Sequence, residues 1–474
     1  MIFSPFKQQV SDQFGFEFTA DQDQCVDQLE LFLKDREQYG IFLLSGYAGT
    51  GKTSLLGAFI RTLAHFKLNT VLLAPTGKAA KVLSSKSNKR AFTIHKYIYR
   101  RKDKTDDFST IQLAPNLQKN TVFIVDEASM IGDYTMIDGN VNQRNLLEDL
   151  LEFVYSGKNC KLILLGDEGQ LPPVGATESP ALNEEYLKAH FYRLNIYKSK
   201  LNEVLRQEAD STILENATKL RQLDYQFPKL NADKKGDLQL VDGIEMQDYL
   251  ESSFSKYGTE GTVVITRSNK RCYEYNRQIR SRIFWYEEEL CQGDLLMVVK
   301  NNYHWLKDEP EMGFIANGET MVVRKVLKRE KLYGFEFARL LVEFPDYEQL
   351  GEQEVIVHIE SLSCESPSIQ RDRLRELFFE VEKDYLYEPN KKKRYELIMA
   401  NPYFNAIQVK YGYAITCHKS QGGQWDHVFI DVGYLPEDLD PIEYKRWLYT
   451  ALTRAKTKTY LINFPEEQLE LIEK

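Results

Sequence analysis

A phosphate-binding loop is the chemically most informative part of this 474-residue sequence. The segment Gly46–Thr53 fits the pattern G-x-x-x-x-G-K-[ST], whose backbone N–H groups surround a polyphosphate. In such a loop Lys52 reaches the β- and γ-phosphates, and the hydroxyl of Thr53 binds Mg²⁺. The residues that we predict to bind ATP here are Gly46, Tyr47, Ala48, Gly49, Thr50, Gly51, Lys52, Thr53 and Ser54. ATP and Mg²⁺ are therefore the predicted cofactors, and a glycine-rich turn without a ligand is the alternative.

Two adjacent carboxylates follow an apolar run further along the chain. The run Phe123-Ile124-Val125 leads directly into Asp126 and Glu127. In a P-loop ATPase the first carboxylate holds Mg²⁺ and the second polarises the attacking water. A pair of acids at a strand end can also cap a helix, but the P-loop upstream favours the catalytic interpretation.

A third polar loop, Gly166–Gly175, follows the next apolar run and reads Gly-Asp-Glu-Gly-Gln-Leu-Pro-Pro-Val-Gly. Its glutamine, Gln170, is placed to sense the γ-phosphate or to orient water. The two prolines restrict the backbone and make the loop rigid. This loop is therefore a third predicted component of the catalytic site.

Four apolar β-rich runs, separated by helical segments, must position these loops. They are Ile41–Ser45, Thr70–Ala74, Thr121–Val125 and Lys161–Leu165, and an amphipathic helix is expected from Lys52 to Phe66. Continuous apolar strands alternating with helices indicate a parallel sheet covered on both faces. Ligands of such sheets bind at the carboxyl ends of the strands, where the three loops lie.

A second α/β set is expected later in the chain, with strands Thr262–Thr266, His427–Asp431 and Thr459–Ile462. Between them, from Gln292 to Leu362, the pattern changes to β-rich alternation with turn signals such as Asn317-Gly318. We interpret this region as a small β-barrel inserted in the second α/β domain.

A charged helical stretch follows from Ser366 to Ala400, and it contains the basic run Lys391–Arg394. A solvated helix end explains that run better than a DNA contact does. The sequence does not assign a function to the stretch.

The basic charge is concentrated in one part of an acidic chain whose net charge is −9. Between Gly77 and Lys104 only Asp103 is acidic. Ten residues there are basic: Lys78, Lys81, Lys86, Lys89, Arg90, Lys96, Arg100, Arg101, Lys102 and Lys104. A solvated face is the plain explanation, but a basic strip on an acidic body also suits a protein that holds a polyanion in a groove.

Other features of the composition are typical of a cytoplasmic protein. The six cysteines (Cys25, Cys160, Cys272, Cys291, Cys364 and Cys417) are scattered, which favours reduced thiols over disulfides or a zinc site. No apolar run approaches the ~18 residues of a membrane helix, and the N-terminus has no signal-peptide pattern. We expect a cytoplasmic protein with no membrane partner.

The three loops together resemble those of superfamily 1 DNA helicases. The segment Gln170–Gly175, Gln-Leu-Pro-Pro-Val-Gly, is similar to the RecD- and Dda-like members of superfamily 1B. The resemblance extends in order along nearly the whole chain. It implies an α/β fold with two RecA-like parallel-sheet P-loop domains and a small SH3-like β-barrel inserted in the second.

The resemblance also implies a domain organisation. Residues 1–195 would form the first core, with a pin hairpin at about 97–117. The second core would consist of 196–290 and 401–474, and 291–400 would hold the barrel and the charged helical segment.

Further nucleotide-site residues follow from the resemblance. Phe18–Gln22 is similar to an N-terminal glutamine motif, so Gln22 is expected at the adenine edge. Leu201–Gln207 is similar to a motif whose arginine, here Arg206, reaches the triphosphate. Trp447–Ala455 is similar to a motif in which the arginine, here Arg454, acts as an arginine finger. Tyr413–Gly422 matches a motif that touches both DNA and nucleotide, which adds Gly422. For the two arginines the alternative is a surface salt bridge, worth about 0–1 kcal/mol.

The DNA-contacting residues are implied in the same way, by Ala74–Ala80, Thr93–Lys96 and Tyr413–Gly422. The predicted single-strand contacts are Pro75, Thr76, Lys78, Thr93, His95, Thr416, His418, Lys419 and Ser420. An ordinary, partly buried histidine is the alternative for His95. Phe108, in the expected pin, is proposed as the wedge that splits the duplex.

The resulting prediction is an ATP-dependent DNA helicase that moves 5′→3′ on single-stranded DNA and unwinds duplex. The polarity rests on the resemblance alone. We expect a monomer that binds single-stranded DNA and duplex junctions, together with other DNA repair or recombination proteins. Two alternatives stay open: an RNA-translocating helicase, and a motor subunit that acts only inside a recombination or nuclease complex.

Overall fold

The computed structural model describes residues 5–101, 111–133, 145–203, 211–222, 224–233, 236–307, 309 and 312–472. The described residues form two compact units. The first contains those between 5 and 101, those between 111 and 226, and Asp440–Thr453. The second contains Phe227–Leu439 and the residues from Arg454 onward.

The first unit is built from helices that alternate with short strands. In chain order its elements are α1 (Pro5–Phe14), α2 (Ala20–Lys34), β1 (Gly40–Gly46), α3 (Lys52–His65), β2 (Asn69–Ala74), α4 (Gly77–Ser87), β3 (Ala91–Thr93), α5 (Ile94–Ile98), β4 (Tyr99–Arg101), β5 (Ile111–Leu113), β6 (Thr121–Val125), a 3₁₀ turn (Ala128–Met130), α6 (Leu146–Ser156), β7 (Lys161–Gly166), α7 (Glu184–His190), β8 (Asn195–Leu201), α8 (Thr212–Leu220) and, much later, α15 (Pro441–Leu452).

Six of these strands form one parallel sheet in the order β3-β2-β6-β7-β1-β8. Every residue of β1, β6 and β7 is buried, as expected for strands covered by helices on both faces. Phe32 and Phe59 belong to the apolar core on one face, and Leu150 and Phe153 to the core on the other. The four strands predicted for this region are therefore confirmed, and their carboxyl ends meet at one edge.

The second unit contains a second parallel sheet and a barrel. Its elements are β9 (Leu230–Asp233), β10 (Leu238–Leu240), α9 (Met246–Gly261), β11 (Thr262–Thr266), α10 (Asn269–Arg282), β12 (Leu295–Val298), β13 (Thr320–Leu332), β14 (Phe335–Glu343), a 3₁₀ turn (Glu348–Leu350), β15 (Gln353–His358), α11 (Glu360–Ser363), α12 (Arg371–Glu382), a 3₁₀ turn (Lys383–Tyr385), α13 (Lys391–Ala400), β16 (Ile407–Tyr411), β17 (Ala414–Thr416), α14 (Cys417–Ser420), β18 (Trp425–Asp431), β19 (Ala455–Ile462), a 3₁₀ turn (Glu466–Gln468) and β20 (Leu469–Ile472).

The second parallel sheet has the strand order β10-β19-β18-β11-β17, and β12 to β16 close into a barrel. The three strands predicted for this sheet are present, at β11, β18 and β19. The α/β class, with two parallel sheets and a small barrel in the second domain, is thus confirmed.

The barrel differs in extent from the predicted insertion of 291–400. Its last strand, β16, lies at Ile407–Tyr411, where it pairs antiparallel with β12 and parallel with β15. The helices α12 and α13 therefore lie between the fourth and fifth barrel strands. The basic run Lys391–Arg394 begins α13, with Asn390 as its N-cap.

The compact units also divide the chain differently from the predicted boundary at residue 195. Edge strand β8 pairs with β1 in the first sheet, and α8 belongs to the same unit. Helix α15, which precedes Arg454, also belongs to the first unit. Among the described helices, none is both long enough and apolar enough to cross a membrane.

Candidate functional site

The P-loop connects the carboxyl end of β1 to the first turn of α3. Gly49 and Gly51 have φ angles of 82° and 78°, in the left-handed region that favours glycine. A Cβ at Gly46 would lie 3.0 Å from both the Cβ and the backbone oxygen of Leu201. The backbone conformation therefore favours glycine at 49 and 51, and the close approach of Leu201 favours it at 46. Helix α3 directs its N-terminus at the loop, as a phosphate site requires.

The side chain of Lys52 lies over this loop. Its ammonium group donates hydrogen bonds to the backbone oxygens of Gly46 and Tyr47, the latter at 2.7 Å. Burial lowers the pKa of Lys52, whereas the nearby carboxylates of Asp167 and Glu127 act in the opposite direction. A bound polyphosphate would supply the negative charge that favours the protonated lysine.

The two predicted carboxylates lie at the carboxyl end of β6. Burial raises the pKa of Asp126, and the hydrogen bond from the Glu127 backbone N–H (2.9 Å) and the charge of Lys52 oppose that rise. Glu127 has a φ angle of 53°, an uncommon conformation for a residue other than glycine. Such backbone strain is typical of functional positions.

The hydroxyl of Thr53 and the carboxylate of Asp126 are chemically suited to Mg²⁺. Both present hard oxygen ligands, which this cation prefers. Mg²⁺ usually binds through one or two protein oxygens together with phosphates and water. The two side chains therefore match the demands of a Mg²⁺–nucleotide site.

Gln170 lies in the turn that follows β7. Only 6% of its surface is exposed, and its Oε1 has no hydrogen-bond partner within the part of the chain that the structure describes. Its backbone N–H donates to the oxygen of Asp167 (3.2 Å), and Oδ1 of Asp167 accepts from the backbone N–H of Gly169 (3.0 Å). The turn thus holds Gln170 in place while leaving its side-chain oxygen available to a ligand.

Tyr449, on α15, is a site residue that the sequence did not reveal. Its hydroxyl accepts a hydrogen bond from the backbone N–H of Ala48 (2.7 Å) and donates one to Oδ2 of Asp167 (2.7 Å). Burial and the charge of Asp167 raise the pKa of Tyr449 well above its usual value, so its phenol stays protonated. One hydroxyl therefore connects the P-loop with the turn that carries Gln170.

Gln22, the residue expected at the adenine edge, lies close to the P-loop. It is buried, and its Nε2 donates to the backbone oxygen of Thr50 at 3.2 Å. It also forms a reciprocal capping box with Thr19 at the start of α2. The cap and the contact to Thr50 fix the side chain beside the loop.

In the second unit, four predicted residues lie in and around the short helix α14. Thr416 precedes this helix, and Nζ of Lys419 donates to Oδ1 of Asn317 in the barrel. Ser420 is fully buried, and its hydroxyl donates to the oxygen of Cys417 at 2.7 Å. The Ser420 hydroxyl hydrogen is therefore already donated within the protein. A contact to a DNA phosphate would need that same hydrogen.

Arg454 follows α15 in sequence and belongs to the second unit. It is 4% exposed, and its Nη1 donates to the backbone oxygen of Gly423 at 3.3 Å. The neighbouring Gly422 is buried and has a φ angle of 73°. The structure thus brings two predicted nucleotide-site residues of the second unit, Gly422 and Arg454, into the same neighbourhood.

Comparison with known proteins shows what these segments are similar to. A family model described as an AAA domain matches residues 19–242, and one described as the UvrD-like helicase C-terminal domain matches residues 411–462. The ATP-dependent DNA helicase dda of Enterobacteria phage T4 is 28% identical over 306 residues, which is 62% of this chain and 64% of that helicase. The ATP-dependent RecD2 DNA helicase of Deinococcus radiodurans is 26% identical over 431 residues, or 89% of this chain and 46% of the relative.

The chain is thus similar to RecD- and Dda-like DNA helicases. The chain spans less than two thirds of the length of either helicase to which it was compared. Among solved structures, a Bacteroides Pif1 helicase in complex with ADP-AlF3 and ssDNA aligns over 97% of this chain and 95% of that one, with 15% identity and a TM-score of 0.48.

The two threonines predicted to contact DNA in the first unit are helix caps. Thr76 accepts a hydrogen bond from the backbone N–H of Ala79 (3.2 Å), and Thr93 accepts one from that of Lys96 (3.3 Å). Such a cap uses a lone pair of the hydroxyl oxygen and leaves the O–H hydrogen to donate to a phosphate. Pro75 precedes Thr76, and Lys78 is the second residue of α4.

His95 follows Thr93 on α5, and its ring centroid lies 5.6 Å from that of Tyr99. Burial lowers the pKa of His95 to about 4, so the imidazole is neutral at physiological pH. A DNA contact by His95 would therefore be made by the neutral imidazole, which offers no positive charge to a phosphate.

Two predicted residues, Arg206 and Phe108, lie outside the described part of the chain. On either side of Phe108, β4 and β5 pair antiparallel, with Arg100 opposite Gln112. These strands lie where the pin hairpin was expected.

His418, another predicted DNA contact, is half-buried on α14. It lies between Cys417, which is buried, and Lys419.

Proposed function

We propose that this chain is an ATP-dependent DNA helicase that moves 5′→3′ on single-stranded DNA and unwinds duplex. The observation that carries the proposal is the convergence of the P-loop, Asp126–Glu127 and Gln170 at the carboxyl ends of β1, β6 and β7. These three groups perform the three tasks of a P-loop ATPase: holding the triphosphate, binding the metal ion, and positioning water.

In ATP hydrolysis a water oxygen attacks the γ-phosphorus while the bond from that phosphorus to ADP breaks. Glu127 polarises the water and accepts its proton, and Gln170 orients it through the available Oε1. Lys52 stabilises the charge on the β- and γ-phosphates. Thr53 and Asp126 would hold Mg²⁺, which neutralises charge on the phosphates when it is bound.

Single-stranded DNA would be held mainly through its phosphates. In the first unit the O–H groups of Thr76 and Thr93 are the proposed donors, and Lys78 supplies positive charge. In the second unit the corresponding groups are Thr416 and Lys419. Because such contacts release counterions, we expect DNA affinity to fall steeply with salt concentration.

The charge of Lys419 makes a pH dependence of DNA binding testable. Burial lowers the pKa of Lys419 to about 8, so free protein loses this positive charge as the pH rises through 8. Above that pH, binding to a phosphate requires uptake of a proton, and affinity should fall by up to about tenfold per pH unit. We expect DNA affinity to decrease between pH 7.5 and 9, as measured by fluorescence anisotropy with labelled single-stranded DNA.

The matched control for this pH dependence is Lys419→Arg, because arginine keeps its charge over the whole range. The variant should show a flat profile across the same interval. A profile that is equally steep in Lys419→Arg would assign the pH dependence to another group.

The proposed function is tested by unwinding of tailed duplexes. With ATP, the isolated chain should separate a duplex that carries a 5′ single-stranded tail and leave the 3′-tailed one intact. Lys52→Ala should unwind neither. Preferential unwinding of the 3′-tailed substrate would contradict the polarity, and stronger ATPase stimulation by RNA than by DNA would favour an RNA-translocating enzyme. If the isolated chain did not unwind DNA but did so together with partner proteins, the result would favour a motor subunit.

A further inference from the structure

A second polar site lies beside the P-loop, within the first unit. It is a cavity of about 320 Å³. Bulk water occupies about 30 Å³ per molecule, so the cavity can hold a small ion together with several waters. Its polar lining comes from the P-loop residue Tyr47, the turn around Gln170, and the arginines Arg221 and Arg446.

Five buried polar atoms that line this cavity have no hydrogen-bond partner within the described ranges. They are Oγ of Ser129, Oε1 of Gln170, Oγ of Ser179, Nε of Arg221 and Nε of Arg446. Ser129 and Gln170 are themselves 1% and 6% exposed. Buried polar groups are ordinarily hydrogen-bonded, so such a group of atoms around one cavity indicates a ligand.

The two arginines are held in position by other contacts. Nη2 of Arg221 donates to the oxygen of Ala48 at 3.0 Å, and the guanidinium lies 4.5 Å from the ring centroid of Tyr47. Nη1 of Arg446 donates to the oxygen of Thr177. In both side chains the Nε–H group therefore remains as a donor that the fold has already oriented.

Three carboxylates also line the cavity, but each already accepts hydrogen bonds. Asp167 accepts from Tyr449, as described above. Glu168 pairs with Lys200 at 2.9 Å, and Glu178 accepts from Asn183 at 2.8 Å. The three acids are balanced by Lys200, Arg221 and Arg446, so an anion entering the cavity meets oriented donors without an excess of negative charge.

We propose that this cavity binds inorganic phosphate, the product of ATP hydrolysis, at a site separate from the Gly46–Thr53 loop. The proposal rests on the proposed ATPase function. Two Nε–H groups and two hydroxyls donate to the phosphate oxygens. At neutral pH inorganic phosphate keeps at least one P–OH group, and Oε1 of Gln170 accepts a hydrogen bond from it. Because Tyr47 and Gln170 belong both to this lining and to the nucleotide site, the phosphate would reach the cavity next to where it is formed.

The chemistry also predicts selectivity among anions. Sulfate has the same shape but carries no proton at neutral pH, so it cannot donate to Gln170. Phosphate should therefore bind more tightly than sulfate. Since the lining is electrically balanced, we expect weak binding, with a dissociation constant on the order of 1 mM, as suits a product that must leave.

The test is equilibrium binding of radiolabelled inorganic phosphate to the full chain in the presence of ADP and Mg²⁺, without turnover. Wild type and Lys52→Ala should both bind phosphate, because Lys52 does not line the cavity. Arg446→Gln and Ser179→Ala should each weaken binding at least fivefold. Arg193→Gln, at an exposed arginine of the same unit, is the matched control and should bind as wild type does.

Melting temperatures of the variants show whether each is folded, and Ser179→Ala tests the site if Arg446→Gln does not fold. Loss of binding in Lys52→Ala would place the phosphate at the P-loop and overturn the proposal, whatever the other variants do. The proposal would also be overturned if wild type bound no phosphate at a phosphate concentration 20 times the expected dissociation constant. Because no hydrolysis is measured, failure here is distinguishable from failure of the helicase proposal, which the tailed-duplex experiment decides.

Discussion

Replacing Arg454 by alanine is expected to lower DNA-stimulated ATP hydrolysis by about 10³- to 10⁵-fold, the range for loss of an arginine finger. The guanidinium would stabilise the charge that develops on the γ-phosphate in the transition state. The effect should therefore appear in kcat, with little change in ATP affinity. A residual rate above about a tenth of wild type would rule out this role.

The burial of Arg454 requires a control for structural damage. The side chain is 4% exposed and contacts Gly423, so truncation also removes packing. Arg454→Lys keeps a positive charge without the planar fork of donors, and it should remain strongly impaired in kcat. Arg277→Ala, at an exposed arginine on α10, should leave the rate unchanged. Melting temperatures of the three variants separate loss of catalysis from loss of folding.

The parallel strands could be predicted because their burial is complete. A strand covered on both faces is a continuous apolar run, and β1, β6, β7 and β11 all have that form. The edge strand β8 is half-exposed, and its sequence Asn-Ile-Tyr-Lys-Ser-Lys-Leu contains too many polar residues to stand out. An edge strand has a neighbour on one side only, which permits such a composition.

The extent of the barrel could not be predicted from local pattern. The five residues of β16 alternate between apolar and polar side chains, and nothing in them shows which sheet they join. Their membership in the barrel depends on pairing with β12, more than a hundred residues earlier. Three strands and three helices lie between β12 and β16, and they hide that relation in the sequence.

The candidate nucleotide site likewise combines residues that are neighbours in the sequence with residues that are far apart in it. The P-loop is a contiguous motif, and the local backbone conformation favours its glycines at 49 and 51. Tyr449, by contrast, bonds to Ala48 across 401 positions of sequence. The cavity beside the loop combines residues from three separate parts of the first unit, and only the folded chain brings them together.

Replacing Glu127 by glutamine is expected to reduce hydrolysis by about 10²- to 10⁴-fold, the contribution of a positioned general base. Glutamine has nearly the same shape but cannot accept the proton of the attacking water. ATP should still bind, since Lys52 and the loop are unchanged. The result to measure is a normal dissociation constant for ATP with a greatly reduced single-turnover rate.

The unusual backbone of Glu127 provides a second arm for this experiment. With φ at 53°, the position is strained for any residue except glycine. Glu127→Gly should therefore preserve or increase thermal stability while losing hydrolysis as completely as Glu127→Gln. Glu148→Gln, at an exposed carboxylate in the first turn of α6, is the matched control and should hydrolyse ATP normally. A Glu127→Gln rate within tenfold of wild type would show that another group accepts the proton, and that Glu127 is strained for a different reason.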